Sequence, residues 1–467
     1  MDRAVFWALA GVVALAPLPL GGNRAWAWSG LSLAVGLLLV AWAVAAWRRP
    51  AIAHFPWRLI GSGAAVFGAL VVWFFIQASG GTPPGWHHPI WQQTGDALGL
   101  ALPGAVSLSP EQTITGAMRL ICYAGVFFLT AQSCRLPERA RTMFWTVALA
   151  GLAYAIYGLY LAFANVDMIL WFERWAYRGS LTSTFVNRNS YASYAGLTLV
   201  IILALMNSAV GKSLDLGLGS RTGIIHFVDN LKPQLFFLVS AFAVIATALL
   251  LSQSRGGLLA TFIGVAAYFA MLGLRRQFRS RTAIGAALTV LVAGAILVSF
   301  SGSATLSRFA DYAAEGSGRD AVFALTARAI GEHPLLGTGL GSFRGVFQLF
   351  RDAAFGVLAP AYQQAHSSYL ELALEAGLPA FALTMMLLAS LAALCLRGVL
   401  KRQRNLAYPA AGLGATALVA AHSAVDFSLQ IPGVTITYMA IMGAAVGQSF
   451  RSKRRKGENR IAMDAGS

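Results

Sequence analysis

Charge is scarce in this chain. Asp, Glu, Lys and Arg make up 11% of its 467 residues, hydrophobic side chains make up 57%, and the mean hydropathy is +0.64. That balance lies outside the range of soluble globular domains. Cysteine is rarer still: Cys122, Cys134 and Cys395 lie in or at the ends of apolar runs without metal-like spacing, which excludes a disulfide framework and a zinc site. No Asp-x-Asp occurs, so a metal held by such a motif is not supported. There is no fixed-period repeat and no separate soluble domain.

Long apolar runs fill the chain instead. A membrane span needs ~20 mostly apolar residues. Twelve such runs occur, at roughly residues 4–20, 29–47, 58–78, 117–133, 142–163, 191–210, 233–251, 257–274, 283–300, 378–396, 406–425 and 433–449. They are too long and too uniformly apolar for barrel strands, and a lipid-exposed backbone must satisfy its own hydrogen bonds. The expectation is an all-α integral membrane protein with about twelve transmembrane helices. The first run could also read as a cleaved signal peptide; a retained helix is preferred, because its loss would leave an odd number of spans.

Charge sets the orientation. With the N-terminus in the cytoplasm, the inner segments hold 24 of the 35 Lys and Arg residues, including all five lysines, and the outer segments hold 11 arginines. The positive-inside rule then predicts cytoplasmic N- and C-termini in a multi-pass membrane protein. The net charge of +17 is mostly this bias plus the tail RSKRRK. It fits contact with anionic membrane lipids and not nucleic-acid binding.

Four regions follow: 1–300 with helices 1–9, 301–377 as a large outer loop with short helices, 378–450 with helices 10–12, and 451–467 as a basic cytoplasmic tail. A first outer segment, 79–116, contains GGTPPGWHHPIW and reads as a loop lying on the membrane surface. Within the long loop, AVFALTARAIGEH predicts an amphipathic helix stopped by Pro334, and HSSYLELALEAG a second one before Pro379 opens the tenth span. Between them, GTGLGSF resembles a phosphate loop but lacks a preceding strand and a suitably placed lysine, so a tight packing turn is expected.

Ionisable groups near membrane depth need a reason, since inserting one costs at least ~2.5 kcal/mol. Arg255 sits in LSQSRGG between two spans, where it either snorkels to lipid phosphate or binds an anion. Arg188, in TFVNRNSYASY, lies among Asn187, Asn189 and Ser190, which are placed like a helix cap. Two outer arginines without acidic partners in sequence would suit a diphosphate. His366 precedes a helix N-terminus and is either a neutral base or a cap. Glu371 and Glu375, one turn apart, could orient a base or pair with Arg188 or Arg255. His422 and Asp426, also four apart, form a second acid–base candidate or a structural pair.

Together TFVNRNSYASY, LSQSRGGLLA, RDAVFALTARAIGEHPLLGTGLGSF and HSSYLELALEAG, in this order, resemble the O-antigen ligase and polymerase superfamily of bacterial membrane glycosyltransferases. The resemblance covers about 180–430; earlier residues match only in topology. It implies a metal-independent transferase of the GT-C type in the bacterial inner membrane, without cofactors, whose active site faces the periplasm and whose outer segment 301–377 is a large periplasmic loop. The donor would be a glycan on undecaprenyl diphosphate. The acceptor would be a sugar hydroxyl of lipid A core for a ligase, or a second lipid-linked glycan for a polymerase of O-antigen or exopolysaccharide repeats. By position, His366 would be the general base, and Arg188 and Arg255 would hold the diphosphate, with Gly256 and Gly257 letting it approach. A glycan transferase acting on protein hydroxyls is a third option within the family. A transporter or flippase also has twelve spans, but its unusual residues would lie near the midplane in broken helices.

Overall fold

Lipid offers the backbone no hydrogen-bond partners, so apolar segments close their own ladders as helices. The computed structural model describes residues 3–50, 57–210, 233–274, 317–351 and 362–450. Fifteen α-helices occur among them: α1 (Arg3–Leu15), α2 (Ala25–Arg48), α3 (Trp57–Ala78), α4 (Ile90–Leu98), α5 (Pro110–Ser133), α6 (Pro137–Phe163), α7 (Arg188–Val210), α8 (Pro233–Leu251), α9 (Arg255–Gly273), α10 (Ser317–Glu332), α11 (Phe343–Phe350), α12 (Ser368–Ala376), α13 (Leu378–Lys401), α14 (Ala407–Ser423) and α15 (Pro432–Ser449). A two-residue hairpin, β1 (Met168–Ile169) with β2 (Phe172–Glu173), interrupts the connection between α6 and α7.

Eight of these helices are long and apolar enough to cross a membrane: α2, α3, α5, α6, α7, α8, α9 and α13. Three further expected spans form α1, α14 and α15, which have 13, 17 and 18 residues. The expected ninth span, 283–300, lies outside the described residues, as does the tail 451–467. The chain is thus a multi-pass membrane protein.

The bundle is built around α7, α9 and α14. Their contact is close because small residues replace side chains where backbones meet. A Cβ on Gly264 would lie 2.8 Å from the carbonyl of Gly414, and one on Gly414 would lie 2.7 Å from the carbonyl of Gly264. The same logic seats α15 on α5. By contrast α2 keeps most of its side chains exposed, with Leu33 and Leu37 more than half accessible, as a lipid-facing helix should.

Both short helices expected before the tenth run are present. The AVFALTARAIGEH segment forms α10, and HSSYLELALEAG forms α12, with Pro379 in the first turn of α13. The helix α11 was not expected; Phe343, Val346 and Phe347 of its buried face pack against Val322, Leu325 and Ala329 of α10.

The segment 79–116 keeps most of residues 79–103 exposed and buries residues 104–107. Its inner part docks on residues 338–340: the Leu108 N–H donates to the Thr338 carbonyl at 2.9 Å, and Thr113 Oγ1 donates to the Leu340 carbonyl at 3.1 Å. Gln77 Nε2 bonds the carbonyls of Leu336 and Glu375 at 2.6 and 3.0 Å. His88 is buried with its ring 4.8 Å from that of His333. Backbone polar groups in a buried loop need partners, and here each segment supplies them to the other.

Candidate functional site

All the singled-out residues gather at one end of the bundle, where the connections 16–24, 164–187, 252–254, 362–377 and 424–431 meet. Thr184 Oγ1 donates to the Pro17 carbonyl at 2.8 Å, and the Leu181 N–H to that of Leu251 at 3.0 Å. The opposite end holds Arg135, Arg402 and Gln448, with Gln448 Nε2 donating to the Cys134 carbonyl at 2.6 Å.

Asn187 and Asn189 have different tasks. Asn187 Oδ1 accepts from the Asn189 N–H at 2.7 Å, capping α7. Asn189 reaches across the bundle: its Nδ2 donates to Asp426 Oδ1 at 3.0 Å, while its Oδ1 accepts from Ser254 Oγ at 2.8 Å. Ser254 is the N-cap of α9 and accepts from the Gly257 N–H at 3.2 Å. Arg255 is therefore the first residue of a helix whose cap is bonded to the residue following Arg188.

Arg188 is half-buried beneath Tyr177, with its guanidinium 5.6 Å from that ring's centroid, and its Nη1 donates to Ser180 Oγ at 3.3 Å. Its Nε is buried and has no hydrogen-bond partner among the described residues. Arg255 is exposed. Neither arginine forms an ion pair among the described residues, where the pairs are Arg174 with Asp167 at 3.9 Å and Arg178 with Glu173 at 3.2 Å. Buried Arg174, which the sequence reading passed over, fixes the loop by donating to the Ser180 carbonyl at 3.0 Å.

The structure alters the reading of the glycines beside Arg255. A Cβ on Gly257 would lie 2.4 Å from that of Ala192, and one on Gly256 would lie 3.3 to 3.4 Å from Val425 and His422. Their open sides are filled by the protein's own helices, so they serve packing and not approach of a ligand.

His366 has φ +53°, a left-handed conformation that is uncommon for a non-glycine residue. Its ring stands edge-on to Phe427 at 5.3 Å and to Tyr362 at 6.0 Å. The cap of α12 is Ser367, whose hydroxyl accepts from the Leu370 N–H, so His366 is not the capping residue. It borders a cavity of ≈ 260 Å³ shared with Asn187, Ser190, Tyr177, Asn23 and Phe427. Arg255 does not line this cavity.

Glu371 and Glu375 pair with neither Arg188 nor Arg255. Both are buried and face the protein's own backbone. Glu371 Oε2 accepts from the Ala365 N–H at 2.8 Å, directly before His366, and Gln364, with its amide nitrogen turned inward, donates to Oε1 at 2.6 Å. Burial, and next the neighbouring charge of Glu375, push the Glu371 carboxyl well above the usual range. Glu375 Oε1 accepts from the Phe343 N–H at 3.0 Å, and the N–H groups of Gly341 and Ser342 also bond its carboxylate. Burial raises it to about 7, against the lowering effect of these donors. The phosphate-loop likeness of GTGLGSF thus has a physical basis: successive N–H groups do surround an anion, and the anion is Glu375.

His422 and Asp426 are not a directly bonded pair, because α14 ends at Ser423 and Asp426 lies beyond its last turn. Ser428 lies between them: its hydroxyl donates to Asp426 Oδ2 and stands 3.5 Å from His422 Nδ1, which also bonds Ser193 Oγ. The Asp426 carbonyl accepts from the N–H and hydroxyl of Ser368 at 3.3 and 3.0 Å, which ties the start of α12 to the same hub. Sequence reasoning named His422 and Asp426, and Ser190 beside Arg188, but missed Ser193, Ser428 and Asn23; for Asn23 the turn residues Gly-Gly-Asn at 21–23 were the available signal. Among the described residues no three His, Cys, Asp or Glu side chains are grouped to hold a metal ion.

These features define a polytopic membrane protein with a polar, cation-bearing site at one end of its helices. Residues 240–385 match the family model described as O-Antigen ligase, and over that segment the chain is similar to the O-antigen ligase-like superfamily. No curated protein matches it. The matched segment includes Arg255, His366, Glu371 and Glu375, while Arg188, Asn189, His422 and Asp426 lie outside it. It supports an enzyme of the ligase or polymerase type in lipopolysaccharide assembly.

Proposed function

We propose that the protein is a GT-C-type glycosyltransferase that moves a glycan from undecaprenyl diphosphate to a sugar hydroxyl at the periplasmic face of the inner membrane. The acceptor is lipid A core. The observation that carries this reading is Arg188: its buried Nε–H has no acceptor, it has no acidic partner among the described residues, and it adjoins Asn187 on the wall of the cavity that His366 borders. A planar guanidinium in that state is suited to phosphate oxygens.

In this reaction the acceptor oxygen attacks the anomeric carbon as the bond from that carbon to the diphosphate oxygen breaks. The electron pair leaves with the diphosphate, whose growing charge Arg188 and Arg255 stabilise. The acceptor proton passes to His366, worth ~10²- to 10⁴-fold in rate. One displacement inverts the anomeric configuration. Glu371 supports the base by holding the Ala365 N–H, and so the left-handed turn at His366.

The test is transfer in vitro from a polyprenyl-diphosphate glycan by full-length protein in nanodiscs. His366→Ala should lose at least ~10²-fold in kcat, and Arg188→Ala and Arg255→Ala should raise the donor KM. Transfer by His366→Ala at the unmodified rate would remove the base assignment. In cells lacking the protein, unattached full-length polymer supports the ligase reading, and single-repeat glycans the polymerase one.

A further inference from the structure

The geometry points to the cavity beside His366 as the seat of one uncharged sugar ring of the acceptor. This rests on the transferase reading, and adds to it the class of sugar that is accepted.

Two observations carry it. The first is the wall. Among the described residues lining the cavity there is no carboxylate and no Lys or Arg; its polar groups are the carboxamides of Asn23, Asn187, Gln363 and Gln364, the Ser190 hydroxyl and His366. Carboxamides both donate and accept, as sugar hydroxyls do. The rings of Tyr177, Phe185 and Phe427 supply apolar surface for the C–H faces of a pyranose. Such a wall has nothing to compensate a phosphate or carboxylate on the ring, and an unpaired charge there carries a desolvation cost.

The second is Ser190. It is 1% exposed, its Oγ has no hydrogen-bond partner among the described residues, and it lines the cavity. Buried hydroxyls in proteins are satisfied as a rule, so this one is left for a ligand. The volume of ≈ 260 Å³ lies just below the ~300–1,000 Å³ of small-molecule pockets, which matches a single ring and not a chain. The cations Arg188 and Arg255 lie off this wall, so diphosphate and acceptor sugar occupy separate places with His366 on the acceptor's side.

The experiment uses full-length protein in nanodiscs, probed by saturation-transfer NMR with uncharged methyl hexopyranosides and with their phosphate and uronic-acid counterparts. Uncharged glycosides should bind at least ~10-fold more tightly than charged ones. Ser190→Ala should weaken them about three- to tenfold. Asn23→Lys, at an exposed position, should admit the sugar phosphates and reverse the order, a gain that misfolding cannot imitate. Equal binding of charged and uncharged sugars, no binding of either, or an unchanged order in Asn23→Lys overturns the inference. His366→Ala transfer assays run alongside separate the two readings: unmodified transfer by that variant removes the base, whereas loss of transfer with no preference for uncharged sugars removes only this proposal.

Discussion

Asn189 donates to Asp426 at 3.0 Å and accepts from Ser254 at 2.8 Å, so a single carboxamide joins the start of α7, the cap of α9 and the connection after α14. Two of the three motif arginines and histidines are neighbours of these atoms in sequence: Arg188 precedes Asn189, and Arg255 follows Ser254. One side chain therefore ties together the two helix starts that carry the cations.

Replacing that side chain should show it. Asn189→Asp sets two carboxylates within hydrogen-bond distance, which cannot both ionise. Its Tm should fall further than that of Asn189→Ala, and transfer should fall with it. Adding Asp426→Asn to Asn189→Asp restores a donor opposite an acceptor and should recover most of both. Thermal unfolding and transfer rates of the three variants check this; no recovery in the double variant would detach the hub from the site.

The Glu375 clamp predicts graded damage. Glu375→Leu leaves the N–H groups of Gly341 and Phe343 without this acceptor, at about 1–3 kcal/mol for each that stays buried, while the Ser342 N–H keeps the Gly339 carbonyl at 3.2 Å. Glu375→Gln keeps one acceptor oxygen and should lose much less. Because the folded carboxyl is raised from 4.5 to about 7, it holds a proton that the unfolded chain has released. The stability from this proton is complete below pH 4.5 and is lost as pH rises to about 7. Over that window the wild type should lose Tm relative to Glu375→Gln.

His88 works in the opposite direction. Burial, and then the charge of His333, hold its ring down from 6.5 to about 4. The folded state thus refuses a proton that the unfolded chain takes up, and stability present above pH 6.5 is lost as pH falls toward 4. Amide exchange in 88–108 should quicken on acidification over that range. In His88→Phe the acid dependence should flatten.

The two glycines after Arg255 should separate by packing. Gly257→Val drives side-chain atoms into Ala192, an overpacking of about 1–3 kcal/mol, visible as a lower Tm. Gly256→Ala meets only ordinary to tight contacts with His422 and Val425 and should be close to neutral. Equal losses at both would mean that their shared role is elsewhere.

Much of this architecture was legible in the sequence because its physics is one-dimensional. Apolar length gives a helix whatever its neighbours, and α10, α12 and the Pro379 start of α13 follow from periodicity and turn residues. The grouping of Asn187, Asn189, His422 and Asp426 was expected only as separate pairs, since a hydrogen bond between positions 237 apart leaves no local trace. GTGLGSF was expected as a tight packing turn; that its N–H groups form an anion cradle was not legible, because what fills it comes from a helix 32 residues later. Arginine targets for Glu371 and Glu375 were an error of direction, because sequence spacing puts both on one helix face without saying what that face meets.

The Asn189–Asp426 bond also sets an order of assembly. At ~5–20 residues per second of synthesis, Asp426 is made roughly 10 to 50 s after Asn189. For the later part of that interval α7, α8 and α9 are all made without the acceptor that ties their polar ends together. A nascent chain therefore carries both arginines before the Asn189–Asp426 tie can form, and that tie arrives only as α14 is completed.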